Sequence, residues 1–399
     1  MEKKTILLII HRLNHGGAEK ILSQLSLMLE DVYNVIVITF DGQGQMYETG
    51  GQLIDLQLPA SDNKVVQSIN LIRRVRKVRN IKRDNSVSCS ISFLNGPNLI
   101  NYLSRYHDKV IMSVRTFLSG RKMGFFEKKY SELIYNLSDC TIAISDYVRD
   151  DLIQKFGANS NIVKTIYNPC DVDYIVAQGN ACDNEGIEIN HEMFNYVTVG
   201  RFHEAKGHWH LLRAFAQLCK KHDDVHLYMI GEGNLLDKTI NLIKELKIEE
   251  KVTLTGFLKN PHQIVYQCDA FVFSSIYEGF GNVIVDALAL RKPVISSDCY
   301  TGPRTILAPS TPVMYQTSEI EYGEYGILVP SGDSRNFNAI DALTHDEECL
   351  YEAMEIIKTD KQLREEYIGK GFDRAKDFSV NVTKRKWVEI IESITTENN

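Results

Sequence analysis

The sequence predicts an α/β protein built as two Rossmann-like halves in tandem, on three observations. At 399 residues it is too long for one ordinary hydrophobic core, which predicts about two domains. Strand-like apolar runs alternate with helix-like runs, the pattern of stacked βαβ units around parallel sheets. That alternation is interrupted once, by a polar stretch from Asn168-Pro169 to Asn190, and then resumes.

In the first half, Thr5–Ile10 is a strand of the buried type. The loop Asn14-His15-Gly16-Gly17 leads into a helix over Ala18–Leu29, where Ile21, Leu22, Leu25 and Leu29 recur at helical spacing. Strands are expected at Val35–Phe40, Val87–Phe93, Val110–Val114, Cys140–Ile144 and Ile162–Ile166. In the second half they are expected at Tyr196–Val199, His226–Ile230, Lys251–Thr255, Ala270–Phe273, Pro293–Ser296 and Gly326–Val329. Helices follow from Ile340, ending in Val380–Ile394 with Trp387, Val388, Ile391 and Ile394 on one stripe.

Composition narrows the class further. With 44% hydrophobic residues, 24% charged and 9 prolines, the chain is far from disordered, collagenous or disulfide-scaffold proteins. The first apolar run spans six residues against the roughly 20 of a membrane helix, and no small-residue cleavage site follows it, so neither export nor spanning is expected. Eight cysteines without a Cys-x-x-Cys pair fit a reducing cytosol better than zinc or redox chemistry. The net charge of −7 divides into +5 over residues 1–150 and −12 over the rest. Nucleic acid is not an expected partner, because the basic residues lack interleaved aromatics or a reading module.

Three motifs carry chemistry. Gly16-Gly17, between a strand and a helix, lets backbone N–H groups approach a phosphate or a sugar, and equally suits a tight turn. Gly200-Arg201-Phe202-His203-Glu204-Ala205-Lys206-Gly207 follows a strand at the carboxyl edge of the second sheet, where open α/β sheets bind ligands. There Arg201 offers a planar fork and Lys206 a point charge, a pair suited to a diphosphate and also compatible with a solvated loop. Ser275-Ile276-Tyr277-Glu278-Gly279-Phe280-Gly281-Asn282 ends a strand and starts a helix near Gly281. The helix-end amides of Phe280 to Val283 suit anions and hydroxyls, and Glu278 and Asp286 can each accept hydrogen bonds from vicinal hydroxyls.

Taken in order, Gly-Gly-Ala-Glu, Gly-Arg-x-x-x-x-Lys-Gly, Glu-Gly-Phe-Gly with a carboxylate eight positions after the Glu, Gly302-Pro303-Arg304 and Gly326-Ile327-Leu328-Val329-Pro330-x-Gly332-Asp333 resemble the retaining GT-B glycosyltransferases of family 4. The resemblance covers residues 196–335 closely and 1–190 more loosely, through Gly16-Gly17, Arg115 and Asn168-Pro169. It implies a GT-B architecture, two Rossmann-like domains facing across a cleft that closes on the donor. Residues 1–185 would form an acceptor domain with a linker at about 168–190, residues 186–376 the nucleotide-sugar domain, and residues 377–399 a helix returning to the first domain.

The resemblance also implies roles. Arg201 and Lys206 would neutralise the departing diphosphate and Glu278 would hold the donor sugar's hydroxyls. Gly16, Gly17, Phe280, Gly281, Asn282 and Val283 would bind sugar and phosphate, and Arg115 would serve the acceptor side. Asp286 stands where a glutamate normally takes both ribose hydroxyls, and its shorter side chain departs from the pattern. No metal or other cofactor is expected. The implied reaction moves a hexose or N-acetylhexosamine from a UDP-linked donor to a glycan acceptor, polyprenyl-linked acceptors included, in the cytoplasm. A nucleotide-sugar binding protein, an epimerase of the same fold and a dehydrogenase are the rival readings.

Other candidates carry blander readings. Asp171-Val172-Asp173 imitates a manganese motif but sits in the linker. His222 and His226 have zinc-like spacing, His203, His208 and His210 cluster near Arg201, and Gly231-Glu232-Gly233 lacks a third glycine. Finally, seven of the eleven residues from 73 to 83 are basic, and Leu71, Ile72, Val75, Val78 and Ile81 recur at helical spacing. This is a helix docked on the core or, together with Phe117-Leu118 and Met123 to Phe126 among basic neighbours Arg121, Lys122, Lys128 and Lys129, a peripheral contact with an anionic membrane.

Overall fold

A computed structural model describes residues 3–14, 16–120, 124–181, 186–332 and 337–396, with the side chains of 125–127 excepted. Arg121, Lys122, Met123, Asp333 and the side chains of Phe125 and Phe126 therefore lie outside the described residues. The chain divides into two compact units, Met1–Pro169 with Val380–Asn399, and Cys170–Ser379.

Unit 1 is built on β1 (Thr5–Ile10), β2 (Asn34–Thr39), β3 (Gln52–Asp55), β4 (Val87–Phe93), β5 (Lys109–Val114), β6 (Cys140–Ala143) and β7 (Val163–Thr165). They pair in the order β3-β2-β1-β4-β5-β6-β7, and every pairing is parallel. Unit 2 has β8 (Phe194–Val199), β9 (Val225–Ile230), β10 (Val252–Gly256), β11 (Ala270–Phe273), β12 (Val294–Ser297), β13 (Glu321–Tyr322) and β14 (Ile327–Val329). Its order is β10-β9-β8-β11-β12-β14-β13, parallel except for β13 on β14.

The central strands are buried on both faces by crossover helices, which is why Thr5–Ile10 reads as a continuous apolar run with no alternation. In each sheet the strand order reverses beside the first strand, between β1 and β4 and between β8 and β11. A crevice opens at such a reversal, at the carboxyl ends of the two strands. The edge strands β3 and β13 escape a reading of apolar runs, because one has only Leu53 and Ile54 as apolar residues and the other is two residues long.

The stretch expected as a linker holds a helix, Val172–Gly179, so the change of unit falls at Pro169 and Cys170, before residue 185. Asp171 caps this helix by accepting from the Tyr174 amide at 3.0 Å, which gives the imitation metal motif its structural use. The helix is held in unit 2, where Asn260 Nδ2 donates to Gln178 O at 2.9 Å and Gln263 donates to Ala181 O. Val172, Ile175, Val176 and Gly179 supply the helical spacing that the surrounding Asp and Asn residues mask.

The last helix, Val380–Thr396, belongs to unit 1: Trp387 and Ile391 are buried in one cluster with Leu22, Leu25 and Ile91. Glu392 accepts from Lys4 at 2.6 Å and from Tyr33 at 2.8 Å, and Lys384 pairs with Asp31 at 2.5 Å.

The basic helix runs over Lys64–Asp84, capped by Asn63. Leu71, Val75, Val78 and Ile81 pack on the core, as the docked reading expected, but Ile72 does not: it is 52% exposed. The cationic face is also thinner than the sequence suggested. Lys82 is buried against Asp108 at 2.8 Å, Arg74 and Lys77 are tied to the carbonyls of Leu58 and Leu56, and Arg79 donates to Arg105 O. Leu118 is fully buried and Phe117 packs edge-on against Tyr147, so this pair does not form a lipid-facing tip.

Candidate active site

The two motif loops of unit 2 leave β8 and β11, the adjacent strands at its reversal. They are stitched together: Ser274 Oγ donates to Lys206 O at 2.9 Å and the Ile276 amide donates to Ala205 O at 2.8 Å. Gly207 makes the approach possible. It sits at φ +55, and a Cβ there would lie 2.4 Å from Ser274 O. The result is an ion pair between Lys206 Nζ and Glu278 Oε2 at 2.5 Å, with the ammonium 5.2 Å from the Phe273 ring centroid.

Glu278 is fixed from both sides. Its Oε1 accepts from the Gly279 amide at 3.0 Å, and its carbonyl accepts from Thr301 Oγ1. Thr301 adopts φ +96, an uncommon conformation for a β-branched residue and a form of strain that gathers at functional loops. Gly302 lets this loop pass Phe280, since a Cβ would meet Phe280 O at 1.6 Å. Gly281, at φ +85, is the N-cap of the helix Asn282–Ala289, so the first turn of that helix opens at the same edge. The Phe280 side chain is 2% exposed and packs on Phe378, which leaves only its backbone to serve a ligand.

Arg201 is exposed and pairs with no carboxylate among the described residues. Its loop is shaped by glycines that the sequence offered only as a weak nucleotide cue: a Cβ on Gly231 would lie 2.1 Å from Gly200 O, and one on Gly233 would lie 2.3 Å from Phe202 O. Asp286 faces an apolar recess lined by Val199, Val265, Phe271 and Val283, and His262 Nε2 stands 3.7 Å from its Oδ2. Spacing alone gave no sign of His262, which stands in the first turn of the helix Pro261–Gln267, before β11.

Four of the histidines singled out by the sequence have structural partners. His203 Nδ1 accepts from the Ala205 amide at 3.3 Å, His210 pairs with Glu347 at 3.0 Å, His222 with Glu355 at 3.1 Å and His226 with Thr253 at 2.8 Å. Burial pushes His208 down to about 3. Arg304 is buried against Asp298 at 2.5 Å and Glu321 at 2.8 Å, an internal ion cluster. Among the described residues one group could hold a metal ion, Glu319, His345 and Cys349, and it contains none of the residues above.

In unit 1, Gly16 is the N-cap of the helix Gly17–Leu29 after β1, and a Cβ on Gly17 would meet nothing within 4 Å, so packing does not require that glycine. Arg115 follows β5 directly and donates to Asn168 Oδ1.

Residues 183–358 match the profile described as glycosyl transferases group 1, and residues 15–174 match glycosyltransferase family 4. An uncharacterized glycosyltransferase of Methanocaldococcus jannaschii is 29% identical, over 92% of this chain and 94% of its own. The N-acetylgalactosamine-N,N'-diacetylbacillosaminyl-diphospho-undecaprenol 4-alpha-N-acetylgalactosaminyltransferase of Campylobacter jejuni is 27% identical, over 93% and 94%. HepE of Anabaena, solved in complex with UDP, shares the fold with a TM-score of 0.76 at 18% identity, covering 98% of this chain and 100% of that one. On its two matched segments and its two sheets, the chain belongs to the glycosyltransferases of GT-B architecture, family 4, glycosyl transferases group 1.

Proposed function

We propose that the protein is a retaining, metal-independent transferase that moves a hexose or N-acetylhexosamine from a UDP-linked donor to a polyprenyl-linked glycan acceptor, in the assembly of a surface polysaccharide or glycoconjugate. The observation that carries this reading is the convergence of Lys206, Glu278 and the Gly281-capped helix at the reversal of the second sheet. Breaking the anomeric bond places negative charge on the departing diphosphate. Fixed cations and helix-end amides bind that charge more strongly than they bind the intact donor, which is what lowers a barrier.

In this reading Arg201 and Lys206 take the diphosphate. The ammonium of Lys206 has three donors, enough to keep Glu278 while holding a phosphate oxygen. Glu278 accepts from the donor sugar's hydroxyls, and Asp286 with His262 holds ribose. The departing phosphate oxygen receives the acceptor's proton on the same face, so no protein base is assigned. The polyprenyl acceptor is supported by the Campylobacter relative, whose name specifies a diphospho-undecaprenol substrate. Incubating the enzyme with a panel of UDP-sugars and polyprenyl-diphosphate glycans, with mass spectrometry of the products and the anomeric configuration read by NMR, tests the reading. Donor consumed without an acceptor, or an inverted product, overturns it.

The basic helix supports a peripheral site at the cytoplasmic face of a membrane. No helix among the described residues is long and apolar enough to cross a membrane. Along one line of the exposed face, Val65, Ile69 and Ile72 are followed by Arg76, Arg79 and Arg83, at steps of four and three residues. Arg79 is also held by Arg105 O and Arg83 by Asp84 at 2.9 Å, so Arg76 and the neighbouring Arg73 carry the cationic end. An aliphatic end and a cationic end on one line suit insertion beside anionic headgroups, at about 1 kcal/mol for each basic residue that reaches them. Vesicle sedimentation should show binding to anionic lipid at low salt that weakens at high salt and with Ile69→Ser/Ile72→Ser. Absence of binding at low salt overturns this part.

A further inference from the structure

Among the described residues, the buried Lys and Arg side chains are paired with carboxylates, with one exception. Arg213 lies against Glu347 at 2.9 Å, Arg304 against Asp298 at 2.5 Å, and Lys82 against Asp108 at 2.8 Å. Arg115 is 8% exposed and has no carboxylate partner among the described residues. One Nη donates to Asn168 Oδ1, the guanidinium carbon stands 4.9 Å from the Phe93 ring centroid, and Nε is buried with no acceptor. Burial alone pulls this guanidinium down to about 9, with no neighbouring charge to oppose it. A buried ion left without a counterion is a costly arrangement that folding does not favour.

The place of the residue supplies the reason. Arg115 is the first residue after β5, at the carboxyl edge of the unit 1 sheet, and Phe93 beneath it is the last residue of β4, one of the two strands at the reversal. We propose that Arg115 is an anion-binding residue whose counterion arrives with a substrate, a phosphoryl group held by the planar guanidinium fork. This deepens the proposed function and rests on it only for the identity of the phosphorylated substrate. The phosphoryl group belongs to the diphosphate of the acceptor or to that of the donor.

The probe is inorganic pyrophosphate, in protein carrying Arg201→Ala and Lys206→Ala so that the other proposed phosphate ligands do not contribute. Pyrophosphate should raise the Tm of that protein and leave it unchanged once Arg115→Met is added, while Arg115→Lys should retain part of the rise. Without pyrophosphate, Arg115→Met should be as stable as its parent or more so, because it removes an uncompensated charge. A lowered Tm, or an undiminished response to pyrophosphate, would mean that Arg115 is a packing residue and overturns the proposal. In otherwise wild-type enzyme, a loss of about ten- to a hundredfold in UDP affinity assigns the anion to the donor. A rise of similar size in acceptor KM with UDP binding intact assigns it to the acceptor, and no change in either overturns the proposal. Should no transfer be found with any donor while the pyrophosphate response still depends on Arg115, the proposed function fails and the anion site stands.

Discussion

Lys206 and Glu278, 72 positions apart, meet at 2.5 Å because the loops after β8 and β11 are laced together by Ser274, Ile276 and the left-handed Gly207. Either residue alone would be a solvated charge; together they put a cation and a hydroxyl acceptor at one strand edge.

Replacing Lys206 or Arg201 by Ala should remove a charge-assisted contact of about 1.5–3 kcal/mol, a loss of roughly ten- to more than a hundredfold in kcat/KM. Glu278→Ala should be as severe, since it also leaves Lys206 without its partner. Steady-state kinetics with the preferred donor decides this. Wild-type rates in all three variants would remove these residues from the reaction.

Asp286→Glu tests the departure from the family's usual glutamate. With His262 only 3.7 Å from the carboxylate and apolar side chains around it, the longer carboxylate should crowd the recess and weaken UDP binding in calorimetry. His262→Ala should weaken it too. Tighter binding by the glutamate variant would show that the short side chain is merely tolerated.

His208 predicts an acid sensitivity with a definite sign. Its folded pKa lies below the ordinary 6.5, chiefly by burial and then by the charge on Lys206, so the unfolded chain takes up the proton first. The stability is fully present above 6.5 and is lost as the pH falls toward 3, by about 2 kcal/mol between pH 7 and 5. Denaturant titrations at those two pH values should show a smaller loss in His208→Phe, and an equal loss would contradict the assignment.

Arg304→Leu should destabilise unit 2 by about 3–5 kcal/mol, because Asp298 and Glu321 would remain without their shared cation. Arg304→Leu/Glu321→Gln should recover part of that loss. A melting temperature within a degree of wild type for the single variant would mean that the cluster relaxes into solvent.

The legible parts of the fold were those written in apolar runs. The central strands, the helix after Gly16 and the stripe around Trp387 announce themselves, because burial on both faces or on one stripe leaves a period in the sequence. The helix Val172–Gly179 is hidden because Asp171, Asp173 and the Asn and Asp residues after it give the segment the polarity of a linker, although Asp171 acts as a cap. At the site, Arg201, Lys206 and Glu278 could be chosen because ion-binding residue types fell in loops after strands. The partners Thr301 and His262 could not, since each is defined by a contact across the fold: the Thr301 hydroxyl donates to Glu278 O, and His262 stands 3.7 Å from Asp286. The exposed line from Val65 to Arg83 was hidden for a related reason: residues 71 to 81 show a stronger period, and that period belongs to the buried face.

The closing helix Val380–Thr396 gives the chain an order of completion. Trp387 and Ile391 fill the core begun by β1, yet the ribosome releases them only after the whole of Cys170–Ser379 has emerged. The unit that starts first must wait, with an open apolar face beside Leu22 and Leu25, while the second unit already has its whole sequence. A nascent chain stalled near residue 379 would therefore carry a finished second half behind an unsealed first half, and that exposed face is where a chaperone would be expected to hold it.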